Sequence, residues 1–254
     1  MSMKRLLSIL SLLLFAVSCG SQTKKLEGAP QVVQPVQYTF TIKNVYPHST
    51  QSYTQGLQYV DGVLWEGTGE WGESRLQKCE LESGKVEVLK SLPRSEFGEG
   101  ITLLGERIYQ LTWQNGVMHI YDRRSLREIA THRYRGEGWG LTSDGQMLYM
   151  SDGTPDIRVI DPQTLASVRT IAVTLEGESL PYLNELEWIE GRIWANVYTT
   201  DYILIINPET GIVPTFFMGE NCAYGYETFW INCLLYTANG MMKMAEFTEK
   251  NGLQ

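Results

Sequence analysis

The 254-residue chain is poor in cysteine and poorer in histidine. Of four cysteines, Cys19 lies near the start, and Cys79, Cys222 and Cys233 are an odd number with no paired spacing, so neither a disulfide framework nor a zinc site is indicated. His48, His119 and His132 are scattered without ligand spacing, which argues against a His-based triad or metal centre. Basic residues are outnumbered, 21 Lys and Arg against 29 Asp and Glu, for a net charge of −8. Phosphate binding needs clustered Lys and Arg, and there is no such patch, so nucleic acid is not expected as a partner. Long hydrophobic runs are also scarce. The run from Leu6 to Val17 is too short to span a bilayer comfortably.

That run has another use. With Lys4 and Arg5 before it and Ser18-Cys19-Gly20 after it, it has the layout of an export signal. A small residue before a cysteine looks like a bacterial lipoprotein cleavage site with Cys19 as the lipidated residue, although Ala16 stands where leucine is usual. Residues 1–19 are therefore expected to be a signal peptide carrying the lipoprotein cysteine. Residues 20–35, polar and Pro-containing without apolar periodicity, are expected to be a tether. The expected location is the bacterial cell envelope, anchored to membrane and facing the periplasm, or the exterior after secretion. Residues 36–254 remain, 219 in all, enough to bury a full core as one domain.

Within that domain one frame recurs. Gly56 is followed nine residues later by Trp65, Gly100 by Tyr109, Gly140 by Tyr149, and Glu185 by Trp194. Between them lie the turn pairs Asp61-Gly62, Gly105-Glu106, Asp144-Gly145 and Glu190-Gly191. A second turn opens at Glu80, Asp122, Asp161 and Asn207, where Asp, Asn, Pro and Gly supply the chemistry of connections between antiparallel strands. Frames 44, 40 and 45 residues apart match a four-stranded propeller blade, and no single blade can bury both its faces. The domain length divided by this spacing gives about five units. The fold expected is thus all-β, a five-bladed β-propeller of four-stranded antiparallel blades, its fifth blade incomplete or atypical over 214–254. The alternating segment Tyr38 to Val45 is expected to be a strand that joins the last blade and closes the ring.

Superposing the frames selects candidate site residues. The residue before each frame is Gln55, Glu99, Trp139 and Asn184. Such positions converge on the mouth of a propeller's central channel, and two amides, an acid and an indole there would make a polar pocket with an aromatic wall. Glu99 lies between Gly98 and Gly100, so nothing beside it in sequence blocks close approach by a ligand. Tyr53, Phe97, Trp113 and Tyr198 stand close by in sequence. Trp65, Tyr109, Tyr149 and Trp194, equivalent in every repeat, are assigned to the structural core, and Glu66 and Gln110 to supporting positions.

The segments Tyr53-Thr-Gln-Gly-Leu57, Glu66-Gly-Thr-Gly69, Phe97-Gly-Glu-Gly100, Gln110-Leu-Thr-Trp113, Gly138-Trp-Gly-Leu141, Ser151-Asp-Gly153 and Leu183-Asn-Glu-Leu-Glu187 occur in this order. In order and spacing the chain resembles the plant and bacterial glutaminyl-peptide cyclotransferases over about residues 38 to 213. The resemblance implies a five-bladed propeller that converts the N-terminal glutamine of peptides or proteins to pyroglutamate and releases ammonia. It implies Glu99 as the proton-transfer residue and Tyr53, Gln55, Phe97, Trp113, Trp139, Asn184 and Tyr198 as the substrate pocket, with Tyr53 where relatives more often have Phe and Tyr198 where they often have Trp. No cofactor is required, though a structural calcium is allowed, and the protein is expected to be a monomer. After Gly211-Ile-Val213 the pattern departs: the fifth-blade Asn-Gly-Ile-Ala motif and the Thr-Gly-Lys followed by Trp-Pro, whose lysine belongs to the active site, are missing, and only Lys243 and Lys250 stand as counterparts. The tail reads as frame-shifted, truncated or diverged. Rival readings are a non-catalytic propeller lipoprotein that binds a peptide or sugar at the same mouth and, last, a lactonase-like hydrolase, which would need several channel carboxylates where the four equivalent positions supply Glu99 alone.

Overall fold

Each frame folds into the two innermost strands of an antiparallel sheet. A computed structural model describes residues 35–218, 229–230, 234–237 and 241–249; the export signal, Cys19, most of the tether, Cys222, Cys233 and Lys250 lie outside these. Among the described residues the regular structure is all strand. After β1 (Val36–Pro47), the first blade is β2 (Thr54–Val60), β3 (Val63–Thr68), β4 (Arg75–Cys79) and β5 (Val86–Ser91). The second is β6 (Gly98–Leu104), β7 (Arg107–Thr112), β8 (Val117–Asp122) and β9 (Glu128–Arg133). The third is β10 (Leu141–Ser143), β11 (Leu148–Met150), β12 (Asp156–Ile160) and β13 (Ser167–Ala172), followed by a small hairpin, β14 (Thr174–Leu175) and β15 (Glu178–Ser179). The fourth is β16 (Leu183–Ile189), β17 (Arg192–Val197), β18 (Tyr202–Ile206) and β19 (Thr215–Met218).

Both turns of the repeat form as their residues dictate. Asp61 and Gly62 take φ of 53° and 78°, and Glu190 and Gly191 take 48° and 75°, the doubly positive pair that matches the twist of a two-residue hairpin. In the second turn, Gly84, Leu126, Leu165 and Gly211 each donate their N–H over 2.8 Å to the carbonyl of Glu80, Asp122, Asp161 and Asn207. All four donors have positive φ, so the same backbone turn is made with leucine in two blades.

The frame glycines show why the blades stand close at the centre. A Cβ added at Gly56 would lie 2.4 Å from the backbone nitrogen of Ile101, at Gly100 2.6 Å from the carbonyl oxygen of Trp139, and at Gly140 2.2 Å from that of Asn184. In each case the obstacle is backbone of the next blade's inner strand. Nine residues on, Trp65, Tyr109 and Tyr149 are buried in the apolar layers between blades one and two, two and three, and three and four. Trp194 is only half-buried. In the second blade burial falls outward, from the almost wholly buried β6, β7 and β8 to the exposed β9, as expected where inner strands are covered on both faces.

Among the described residues four complete blades are present where the sequence suggests five units. The N-terminal strand does reach the last sheet: Val36–Tyr38 of β1 pairs in parallel with β19, and β1 then pairs antiparallel with β22 (Met241–Glu249), which continues to β21 (Leu234–Thr237) and β20 (Phe229–Trp230). Tyr46 of β1 packs on Leu57, Leu64 and Cys79 of the first blade.

Candidate active site

The inner strands are interrupted where the candidate residues sit. In β2 the ladder passes from Thr54 to Gly56 and leaves Gln55 out; in β6 it passes from Gly98 to Ile101 and leaves out Glu99; in β16 it passes from Leu183 to Leu186 and leaves out Asn184. A bulge frees one side chain from the alternation of its strand and re-aims it. Trp139 reaches the same place from the segment just before β10, its carbonyl accepting the Gly100 N–H at 2.8 Å. The position before each frame thus brings one side chain from each of the four blades to one recess.

That recess measures about 240 Å³, and all eight pocket residues expected from the sequence line it. Glu99 is 7% exposed. Gln55 and Asn184 stand with it as neutral amides. On one side Phe97 meets Tyr53 edge-on at 6.1 Å and Trp113 at 5.6 Å between ring centroids. On the other, Trp139 and Tyr198 cross at 5.5 Å and 74°. Gly69 and Gly153 back these walls, for a Cβ at either would strike the rings of Phe97 and Trp139 at 2.4 and 2.7 Å.

Sequence spacing missed four further residues. Glu70 lines the recess, held at φ 82° in the turn after β3. Trp71 packs against Phe97 and Trp113 from outside. Glu137 accepts, on the single oxygen Oε2, the indole N–H of Trp113 at 2.7 Å and that of Trp139 at 2.9 Å. Glu185, the frame residue of the fourth blade, is buried with neither carboxylate oxygen hydrogen-bonded, and an added Cβ on Gly100 would come within 2.9 Å of its Oε2. The first three lie in loops, where strand periodicity gives no signal; Glu185 was legible only as a frame residue.

The electrostatics favour a neutral Glu99. Burial, and secondarily the negative charge of Glu137, hold its carboxyl well above the usual carboxylate range. Glu185 is raised likewise, by burial first and then by Glu187 and Glu99, and Glu187 by burial. No lysine or arginine of the described residues lines the recess. Lys243, one of two candidates for a family lysine, lies in β22 opposite Val45.

The supporting assignments hold in their geometry. Glu66 and Gln110 are fully buried away from the recess. Glu66 accepts from Thr54 Oγ1 (2.5 Å), Gln77 Nε2 (2.7 Å) and Cys79 Sγ (2.8 Å), with His48 Nε2 at 3.1 Å. Burial would raise its pKa, but His48 and these hydrogen bonds together hold it below the ordinary value. Among the described residues His48, Glu66 and Cys79 are the one group of three His, Cys, Asp or Glu side chains whose ligand atoms fall within 4.8 Å of each other. Its nitrogen and sulfur donors suit a transition metal; calcium takes six to eight oxygens.

The glutamine cyclotransferase family model matches residues 10–222. A glutaminyl-peptide cyclotransferase of Arabidopsis thaliana is 41% identical over 168 residues, 65% of this chain and 52% of that protein, so the chain spans about half the length of the curated relative it matches. The crystal structure of Myxococcus xanthus glutaminyl cyclase superposes with a TM-score of 0.75 at 28% identity, over 85% of this chain and 99% of that one. The frames, the bulged inner strands and the match across most of its length place the chain in the glutamine cyclotransferase family.

Proposed function

We propose that this protein is a glutaminyl-peptide cyclotransferase, closing the N-terminal glutamine of peptides or proteins to pyroglutamate with release of ammonia. The observation that carries the reading is the convergence of a buried, protonatable Glu99 with two amides and an aromatic cage in one recess. An N-terminal amine has a reference pKa of about 7.7, so near neutral pH a fair fraction is already nucleophilic. The harder step is expelling nitrogen from the tetrahedral intermediate, because ammonia leaves only when protonated. Glu99, protonated beside the free amine, gives its proton to the departing nitrogen and takes one back from the attacking nitrogen, a role its raised pKa serves. Gln55 and Asn184 hold the substrate amide, while Trp113 and Trp139, with Tyr53, Phe97 and Tyr198, keep the side chain folded near the attack geometry. No step calls for a cofactor, and a structural calcium would take no part in the chemistry.

For the ring, the reading takes β20, β21, β22 and β1 as the fifth blade, supported by their hydrogen-bonded order β1-β22-β21-β20 and by Tyr46 on the first blade. For location, it takes Cys19 as a lipid anchor at the envelope, supported by the signal-like sequence around it. The deciding measurement is ammonia release from a Gln-initiated dipeptide amide by the wild type and by Glu99→Gln. The substitution should lower kcat by about 10²-fold to 10⁴-fold, the usual contribution of a positioned acid-base group. No release by the wild type above background would sink the enzymatic reading.

A further inference from the structure

Trp113 and Trp139 come from different blades, one directly after β7 and the other directly before β10, yet their indole N–H groups point at one atom. An indole nitrogen only donates, and in a largely apolar wall it needs an acceptor or it costs about 1–3 kcal/mol. Glu137, half-buried in the segment between β9 and β10, meets both with Oε2, while its Oε1 accepts from Gln114 Nε2 at 3.4 Å. Among the described residues no lysine or arginine forms an ion pair with it. Charge-assisted hydrogen bonds are the stronger kind, and two converging on one oxygen fix both ring planes and the gap between them.

We propose that Glu137 is the positioning residue of this pocket, a clamp that sets the spacing of the two indole walls across neighbouring blades and places a fixed negative charge behind Glu99. The inference rests on the cyclotransferase reading and adds to it a residue outside the eight pocket positions. The clamp works on geometry, since indoles held at one separation fix the width of the slot in which the glutamine side chain must fold on itself. It also works on protonation. The groups facing Glu99 are Glu137 from the β9–β10 segment, Glu185 from β16, Tyr134 from the end of β9 and Glu70 on the rim. Glu185 is itself held high and the Tyr134 hydroxyl is raised to about 12, so both are neutral at working pH, and Glu70 is exposed to water. Glu137 is left as the charge that acts on Glu99.

Two variants separate the two effects. Glu137→Gln keeps the shape, removes the charge and leaves one carbonyl to serve two N–H donors. Glu137→Asp keeps the charge and withdraws it by one methylene. The assays are the pH profile of kcat/KM for ammonia release and the indole N–H signals in ¹H–¹⁵N spectra, assigned with Trp113→Phe and Trp139→Phe. In Glu137→Gln the acidic limb, which reports Glu99 in the free enzyme, should move to lower pH. In Glu137→Asp it should stay within about half of that displacement, because charge repulsion weakens only gradually with distance. Both variants should shift the two indole signals together, speed their exchange with water, and lower the plateau of kcat/KM by about 10-fold to 100-fold. Unmoved indole signals in Glu137→Gln, or an acidic limb that stays where it was in an active wild-type background, would overturn the proposal. An inactive wild type whose indole signals still move together would instead fault the cyclotransferase reading and leave the clamp standing.

Discussion

Gly140→Ala tests the link between close blade packing and the proposed chemistry at its tightest point. The added Cβ would lie 2.2 Å from the Asn184 carbonyl oxygen, 2.6 Å from Glu185 Cα and 2.7 Å from Leu186 N. All three are backbone atoms of β16, so no side chain can swing aside. Ordinary contact begins at 3.4 Å, and the third and fourth blades would therefore have to part by about 1.2 Å. Overpacking usually costs about 1–3 kcal/mol, and three backbone collisions put this case at the upper end. At about 2–4 °C per kcal/mol for a domain of this size, the melting temperature should fall by roughly 6–12 °C. The displaced segment carries Asn184, and a misplacement of about 1 Å is enough to cost about 10²-fold in rate. Gly145→Ala is the comparison: its φ of +89° strains any side chain, but nothing lies within 4 Å. It should lose about 1–2 kcal/mol and no activity per folded molecule. Circular-dichroism melts and ammonia release on both variants decide the matter. Should Gly140→Ala melt no lower than Gly145→Ala and work as fast, close backbone packing of the inner strands does not position the site.

Two predictions concern buried carboxylates of opposite behaviour. Glu185 has its pKa raised in the folded protein, so its favourable contribution is complete below the ordinary carboxylate range and is lost as pH rises through the folded value. Glu185→Gln should therefore melt higher than the wild type at pH 8, by the equivalent of about 1 kcal/mol or more, with the gap closing toward pH 4; an equal gap at both pH values would refute the assignment. Glu66, with its pKa lowered, contributes stability that is present above the ordinary range and lost as pH falls through the folded value. Glu66→Gln should cost about 3–5 kcal/mol at pH 7, since it strands His48 and Cys79 in the interior, and a denaturant series showing less than about 1 kcal/mol would count against the network.

How much of this was legible in the sequence depended on which force fixed each residue. The frame glycines repeat because backbone meets backbone there, and an absolute steric demand leaves a periodic trace. The outer turns repeat through Asp and Asn rather than glycine alone, which is why Leu126 and Leu165 could occupy the left-handed position without hiding the period. Gln55, Glu99 and Asn184 were found because the bulge holding each one lies at a fixed offset from its frame. Glu137 and Trp71 were not found, because their partners are set by the path of loops between blades. His48, Glu66 and Cys79 likewise show no spacing motif; strand register and the end of β1 bring them together.

In the proposed cyclisation, the acid-rich surroundings of the recess would set the direction of proton transfer. Glu70, Glu99, Glu137 and Glu185 gather near it, and among the described residues no basic side chain lines it. With Glu99 and Glu185 neutral, Glu70 and Glu137 would supply the field that attracts a peptide's ammonium end, whereas an ionised Glu99 would hold that ammonium as a salt, with no lone pair to attack. Burial and the fixed charge of Glu137 move the shared proton the other way, toward a neutral acid beside a free amine. The same proton is then in place for the departing nitrogen. In the proposed reaction, what would bind the substrate as a cation would thus, through one raised carboxyl, also release it as a nucleophile, and this depends on bulges that bring residues 55, 99 and 184 out of their ladders toward one recess.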